Sequence, residues 1–336
     1  MAKSTFALVG SESLLGREIR DIVATSAPEL DLRLIAADEE RAGTLTRVGD
    51  EPAMVGELDA ATLVDARAVF LAGSAESSRK ALDLLAQDST AIIDLTAAAD
   101  EHPDACLRAP MVERESGEPI DASEGIQLIA HPAAIALALF LRRLHAHDAV
   151  RRAVVEIFAP ASEHGTAGVE ELQQQTISLL SFKTLPRAIF DTQSAFNLLA
   201  RYGDEAPVPL ETSELRIERH LATLLALPGE GADAPMPSLR LIQAPVFHGY
   251  SISAWVEFEN NPGIEAIETA LLAGPIEVRG AEFEPPTNVG QAGQGGIAVG
   301  AIAPDRNDAE AVWFWIVTDN LRLSAENAVA VARELA

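Results

Sequence analysis

Tyr250 stands two residues after His248, and His164 lies further back in the chain. A phenol that donates a hydrogen bond to a carbonyl, with an imidazole to carry the proton, is a working acid–base arrangement. On that reading Tyr250 with His248 or His164 would serve hydride transfer to a free aldehyde or ketone. The opposing reading makes His248 part of a Pro245-Val246-Phe247-His248-Gly249 turn and Tyr250 a filler beside it. The one cysteine, Cys106, follows Pro103 and reads as a small packed residue in a loop. His131, before Pro132, reads as a packing residue at a strand end. His145 and His147 are two apart, so they do not share a helix face as paired metal ligands would.

A second constellation lies near the start. Gly10-Ser11-Glu12-Ser13-Leu14-Leu15-Gly16 follows an apolar run and opens a helix. A dinucleotide turn uses its first glycine for the tight bend, a middle one for approach of the pyrophosphate, and the last for helix packing. Here the middle place is Ser13, which adds a side chain at the tightest point. Gly10, Ser11, Ser13, Leu14 and Gly16 are the candidate phosphate contacts. Asp38, Glu39 and Glu40 close the second strand, where an adenosine ribose would sit. A carboxylate there accepts from ribose hydroxyls and repels a 2′-phosphate, so NAD is favoured over NADP if a cofactor binds. The other reading is a solvated acidic loop.

These residues need a scaffold. Apolar runs at Thr5–Val9, Leu32–Ala37, Ala68–Leu71, Ala91–Leu95 and Gln127–Ala130 read as buried strands, with helices at Gly16–Ala24 and Glu76–Ala86. The alternation predicts a doubly wound parallel sheet of Rossmann type. From residue 151 the pattern changes. Arg152–Phe158, Leu239–Pro245, Ser253–Phe258, Ile297–Ile302 and Val312–Val317 read as strands, Gly168–Ser181 and Ser324–Leu335 as helices, and 203–211 and 228–237 as loops. This predicts an α+β domain with an antiparallel or mixed sheet, in which Trp313, Phe314 and Trp315 straddle the sheet between a helix layer and a dimer partner. The 336 residues suffice for two domains.

Composition bounds the function. Against 51 acidic residues stand 25 basic ones, of which Lys3, Lys80 and Lys183 are the lysines, and the formal net charge is −26. Nucleic-acid backbones and anionic membrane surfaces need clustered cations, so neither is an expected partner, while a small-molecule ligand remains open. One cysteine forms neither an internal disulfide nor a cysteine-rich zinc site, and a reduced, cytoplasmic setting is expected. No apolar run has the length of a membrane span.

Several segments in order resemble the aspartate-semialdehyde dehydrogenase family. Val317-Thr318-Asp319-Asn320-Leu321-Arg322 followed by Asn327-Ala328-Val329 is the strongest. Gly168-Val169-Glu170-Glu171-Leu172 after Ser162, Pro245–Gly249, Asp94–Ala98, Val299-Gly300 and the Gly10–Gly16 turn complete the set. The resemblance implies an NADP-type Rossmann domain over 1–130, completed by a C-terminal helix at 319–336, and an α+β substrate and dimerisation domain over 131–318. It further implies a homodimer, a role for Asn320 at the cofactor, and reductive dephosphorylation of aspartyl phosphate in amino-acid biosynthesis. That reaction needs a thiolate nucleophile, an imidazole acid/base and cations for the substrate's carboxylate and phosphate.

Carried over residue by residue, those places are empty of their chemistry. The family's Asn-Pro-Asn-Cys segment falls on Ala130–Ala134, so Ala134 holds the nucleophile's place. The orienting glutamine falls on Ala159, the carboxylate-binding arginine on Gln243, the catalytic histidine on Tyr250, and the phosphate-binding arginine near Asp100. The flexible loop reads Glu163-His164-Gly165, and Leu323-Ser324 replaces Lys-Gly with one residue lost before Asn327. The resemblance is therefore to a catalytically degenerate paralogue of the Usg type. Three functions are open at this point: a dimeric pseudoenzyme with residual dinucleotide binding, an NAD(P)-dependent oxidoreductase on a different aldehyde or ketone, and a regulatory partner of a true dehydrogenase.

Overall fold

The computed structural model describes residues 4–86, 90–117 and 125–336, so Lys3 lies outside the described residues. The elements of the first part are β1 (Ser4–Val9), α1 (Leu14–Ser26), β2 (Leu30–Ile35), β3 (Leu45–Val48), β4 (Glu51–Met54), α2 (Ala60–Leu63), β5 (Ala68–Leu71), α3 (Ala75–Leu85), β6 (Ala91–Asp94), β7 (Ala105–Arg108), α4 (Pro110–Ser116) and β8 (Ile126–Ile129). There follow α5 (Pro132–His147), β9 (Val150–Ala159), a 3-10 turn (Ala161–His164), α6 (Gly165–Leu180), α7 (Leu210–Leu225), β10 (Ser238–Gln243), β11 (Tyr250–Phe258), α8 (Ile264–Leu271), β12 (Ile276–Arg279), α9 (Asn288–Gln291), β13 (Ile297–Pro304), β14 (Ala311–Thr318) and α10 (Asn320–Leu335). Over the described residues the chain divides into two compact units. One falls within Met1–Glu113, Pro119–Ala130 and Ser324–Ala336, the other within Arg114–Glu118 and His131–Leu323.

The first unit is built on a six-stranded sheet in the order β2-β1-β5-β6-β8-β7, with every pairing parallel. Alternate residues of β1 face opposite layers. Phe6 and Leu8 pack with Ile19 and Val23 of α1 and with Ala328, Val331 and Leu335 of α10. Ala7 and Val9 pack with Leu63 of α2 and with Ala81 and Leu85 of α3. A sheet covered on both faces needs strands that are apolar nearly throughout, and β5 and β6, four residues each, are buried at every position. The expected Rossmann-type α/β architecture is what forms. One expectation fails here: Cys106 is not in a loop but in β7, which is short and at the sheet edge, so its pairing with β8 leaves little trace in the sequence. The thiol is half-buried, and burial pushes it above its ordinary value.

The second unit carries a mixed six-stranded sheet in the order β10-β9-β11-β14-β13-β12. β9 pairs with β10 in parallel and with β11 antiparallel, and β14 lies antiparallel to both β11 and β13. On β9, Ala153, Val155, Ile157 and Ala159 are buried, while Arg152, Val154 and Glu156 are exposed. One face of the sheet is therefore lined by helices and the other is not. On the covered face Phe314 meets Phe140 of α5 edge-on at 4.9 Å. The other face shows Phe158 and Trp315 at 6.1 Å, Arg152 above Trp255 at 5.2 Å, and a 43 % exposed Trp313. Phe314 and Trp313 thus straddle the sheet as their alternation requires.

Two helices are missing from the elements read along the sequence, for different reasons. α5 is buried on every side from Ala133 to Arg142, so that stretch shows no polar stripe. It starts where Pro132 occupies the first turn and His131 accepts from the Ala133 amide. α7 does show the pattern, with Leu210, Ser213, Ile217, His220, Leu221 and Leu224 buried at helical spacing. The loop expected over 203–211 gives way to this helix at Leu210 because that apolar stripe packs inward.

Candidate functional site

The strand ends of the second sheet collect the residues singled out from the sequence. Gln243 closes β10, Ala159 closes β9 beside it, and Tyr250 opens β11. His131 and Ala134 lie at the start of α5, and Glu163 sits on the 3-10 turn that follows β9. The segment Glu163-His164-Gly165 is not a free loop. It runs as this turn directly into α6, with Gly165 at φ 61°, a backbone angle that favours glycine.

Glu163 is the centre of the arrangement. Its Oε1 lies 2.9 Å from His131 Nε2 and 3.3 Å from an Arg216 guanidinium nitrogen, and its Oε2 accepts from the Tyr250 hydroxyl. That hydroxyl is also 3.4 Å from His131 Nε2. His131 Nδ1 accepts from the Ala133 amide, which places its ring proton on Nε2, facing the carboxylate. The His131 backbone amide donates to His220 Nδ1 at 2.9 Å. Burial by itself would raise the Glu163 carboxyl, but His131, Arg216 and the Tyr250 hydroxyl outweigh it and hold the group well below the carboxylate range. Tyr250 is fully buried, and desolvation and then the Glu163 charge push its phenol far above the ordinary range.

A second cluster fills the neighbouring strand end. The Tyr202 hydroxyl donates to Gln243 Oε1 at 2.7 Å and lies 2.9 Å from His164 Nε2. The Gln243 amide nitrogen donates to the Ala159 and Ala244 carbonyls. His164, Phe190 and Tyr202 meet edge-on in a ring of three at 5.3–5.4 Å. Burial keeps the His164 imidazole below its ordinary value, so it stays neutral and donates through Nε2.

The expected pairing of Tyr250 with His248 or His164 does not form. The partners of the Tyr250 hydroxyl are Glu163 and His131, His248 Nδ1 is buried with no hydrogen-bond partner, and His164 serves Tyr202. His248 points elsewhere because it precedes Gly249, whose positive φ turns the chain before β11 begins. His131, read as packing, is buried but also caps α5 and meets the Glu163 carboxylate through Nε2. Ala134 is fully buried in α5. Arg216 and His220 escaped the sequence reading with α7, although their spacing of four on one helix face was the signal that could have found them.

Both tyrosines of the chain are buried and both phenols are pushed up from the ordinary value of 10.0 by desolvation. The folded protein should show no tyrosinate absorbance at a pH where free tyrosine is ionised. The unfolded chain releases those protons first, so stability falls as pH rises above 10. In an alkaline titration the tyrosinate signal should therefore rise together with the loss of far-ultraviolet dichroism. A signal that appears before the fold is lost would contradict the burial of these hydroxyls.

The turn of the first unit is a separate candidate site. Gly10 has φ +84°, and a Cβ there would lie 2.2 Å from the Gly73 nitrogen. A Cβ on Gly16 would lie 2.0 Å from the Gly10 carbonyl oxygen. The tightest points of the turn are thus Gly10 and Gly16, not Ser13. Ser13 is the N-cap of α1: it accepts from the Gly16 amide and donates to the Ala72 carbonyl at 2.6 Å. The first amides of α1, Leu14 among them, lack intrahelical acceptors, as at any helix start, and the fully buried Ser11 hydroxyl has no partner. The acids behind β2 are not one solvated loop. Asp38 pairs with Lys80 at 3.0 Å, whereas Glu40 turns inward and accepts from the Glu12 and Ala37 amides, each at 3.1 Å. Asn320, expected at the cofactor, lies in the second unit and accepts from Ser162 and from the Gly249 amide.

Comparison with known proteins agrees with this architecture. Residues 5–118 match the semialdehyde dehydrogenase NAD binding domain, and 141–323 match the semialdehyde dehydrogenase dimerisation domain. An aspartate-semialdehyde dehydrogenase of Rickettsia bellii is 26% identical over 99% of this chain and 98% of its own. A USG-1 protein homolog of Pseudomonas aeruginosa is 30% identical over 98% of this chain and 96% of its own. The solved structure of a probable aspartate-semialdehyde dehydrogenase from Pseudomonas aeruginosa superposes with a TM-score of 0.81 at 28% identity, covering 99% of this chain and 98% of that one. With both domains matched in order along nearly the whole chain, this protein belongs to the semialdehyde dehydrogenase family.

Proposed function

We propose that this family member no longer carries out the phosphorylating dehydrogenase reaction and acts as a homodimeric, dinucleotide-binding protein. The observation that carries this reading is the closed network at the strand ends. A methyl group stands at Ala134 where a thiolate would attack, and Tyr250, in the catalytic histidine's place, donates its hydroxyl hydrogen bond to the internal carboxylate Glu163. Gln243, in the place of a substrate-binding arginine, spends its amide on Tyr202 and two backbone carbonyls. The alternative, a different oxidoreductase using Tyr250, requires a phenol free to meet a carbonyl, and this one is buried and engaged.

The turn of the first unit fits a dinucleotide. Gly10 and Gly16 leave no side chain at the bend, and Ser11, Ser13, Leu14 and the helix start would hold the pyrophosphate. Bound there, NAD would supply or accept a hydride. Glu40 and Asp38 favour NAD, since a 2′-phosphate would face carboxylates. Assayed with aspartate semialdehyde, phosphate and either nicotinamide cofactor, the purified protein should show no turnover, and Tyr250→Phe should change nothing. Calorimetry should show NAD binding more tightly than NADP. A robust rate that survives Cys106→Ala, or no heat with either cofactor, would overturn the corresponding half of the reading.

The uncovered sheet face supports the homodimer, with a second copy of this chain as its occupant. Val154 and Trp313 are 45 % and 43 % exposed there, beside Phe158, Trp255 and Trp315, within the segment that matches a dimerisation domain. Trp313→Arg should shift the sedimentation coefficient from dimer to monomer without loss of helical dichroism. A variant that still sediments as a dimer would place the interface elsewhere.

A further inference from the structure

Three donors converge on one carboxylate in the second unit: His131 Nε2, an Arg216 guanidinium nitrogen and the Tyr250 hydroxyl. They come from three elements, the start of α5, the middle of α7 and the start of β11. The carboxylate they hold belongs to no strand or α-helix core but to the short 3-10 turn carrying Glu163. We propose that His131, Arg216 and Tyr250 form a receptor for a small carboxylate, which Glu163 occupies as a tethered, built-in ligand. Its donors include Tyr250, in the place that the resemblance gives to the catalytic histidine, and include neither Gln243 nor Asp100.

The geometry supplies each requirement of such a site. The donor set is what a carboxylate needs: a guanidinium nitrogen, an imidazole N–H and a phenol O–H directed at two oxygens. The site is dry at His131 and Tyr250 and reaches solvent at Arg216, whose side chain is 23% exposed. The tether is fixed: the Ala161 and Ser162 amides donate to the Val246 and Phe247 carbonyls, so the turn holds Glu163 against the three donors. The tether gives Glu163 a high effective concentration, so a free carboxylate enters only when that side chain is removed.

The inference rests on the reading that these side chains serve no covalent reaction, and its test reads anion binding instead of turnover, so either can fail alone. Glu163→Ala deletes the CH2–COO⁻ group, and acetate replaces those atoms. The E163A chain should melt below the parent protein and recover most of the lost midpoint as acetate is added, with chloride at equal ionic strength giving no recovery. The parent protein and the isosteric E163Q chain, whose amide still fills the space, should not respond to acetate. In E163A/R216M the recovery should vanish. If E163A does not fold in chloride, refolding in acetate should restore its yield. An E163A chain that responds no more than E163Q, or that refolds in neither salt, overturns the proposal.

Discussion

Arg142→Met will destabilise the second unit by about 2–5 kcal/mol, because carbonyls that its guanidinium satisfies lose their donor and each one left buried costs about 1–3 kcal/mol. Arg142 sits in the apolar helix α5 and is fully buried. It has no carboxylate to pair with among its hydrogen bonds. One guanidinium nitrogen donates to the carbonyls of Leu224, Leu225 and Leu227, and the other to those of Pro228 and Glu230, over 2.6–3.4 Å. These carbonyls lie at the end of α7 and in the loop beyond it, where the helical ladder runs out of donors. Desolvation pulls the guanidinium below its ordinary value, yet it remains charged, and the carbonyl dipoles at a helix C-terminus favour that charge. Methionine fills much of the volume but takes a donor from five carbonyls, of which Leu224 keeps the Leu227 amide, so fewer than five are left as buried orphans. Lysine should recover little, because a single ammonium with three donors cannot span this fork. Denaturant melts of the two variants check this, and an Arg142→Met chain within about 1 kcal/mol of the parent would show that water takes over the carbonyls.

Gly10→Ala is expected to cost more than about 4 kcal/mol, at the severe end for a single substitution. The positive φ alone accounts for about 1–2 kcal/mol. The rest is steric, because the new methyl would overlap the backbone of Gly73 at 2.2–2.4 Å and the Ala72 carbonyl carbon at 2.7 Å. Backbone atoms at the ends of β1 and β5 cannot step aside without opening the sheet. Gly43→Ala is the internal control. Gly43 has φ +78° but nothing within 4 Å of its Cβ position, so it should lose only the conformational part. Equal midpoints for the two variants in thermal melts would refute the close approach of the strand ends. Because Gly10 also shapes the turn proposed for the dinucleotide, its variant should lose NAD binding where Gly43→Ala keeps it.

The amino-acid sequence by itself determined those features that depend on near neighbours. β1, β5 and β6 announce themselves as mostly apolar runs, because a parallel strand covered on both faces buries both sets of alternating side chains. The Gly10–Gly16 turn is legible because one residue type alone fits a left-handed bend pressed against another strand. Ala134, Ala159, Gln243 and Tyr250 stand out in the sequence as the residues that the resemblance sets at the family's site positions. Only the tertiary structure decided what those residues touch. Glu163 lies 32, 53 and 87 positions from His131, Arg216 and Tyr250, and Arg142 reaches carbonyls 82–88 positions away. No local pattern encodes such pairs, since each is fixed by where whole elements pack. Ser13 and Glu40 combine the two: each makes one bond within three residues, to Gly16 or Ala37, and one to a distant residue, Ala72 or Glu12, that only the fold brings near. Fold follows from periodicity summed over many residues, whereas the site follows from a few contacts between elements that the packing of the core brings together.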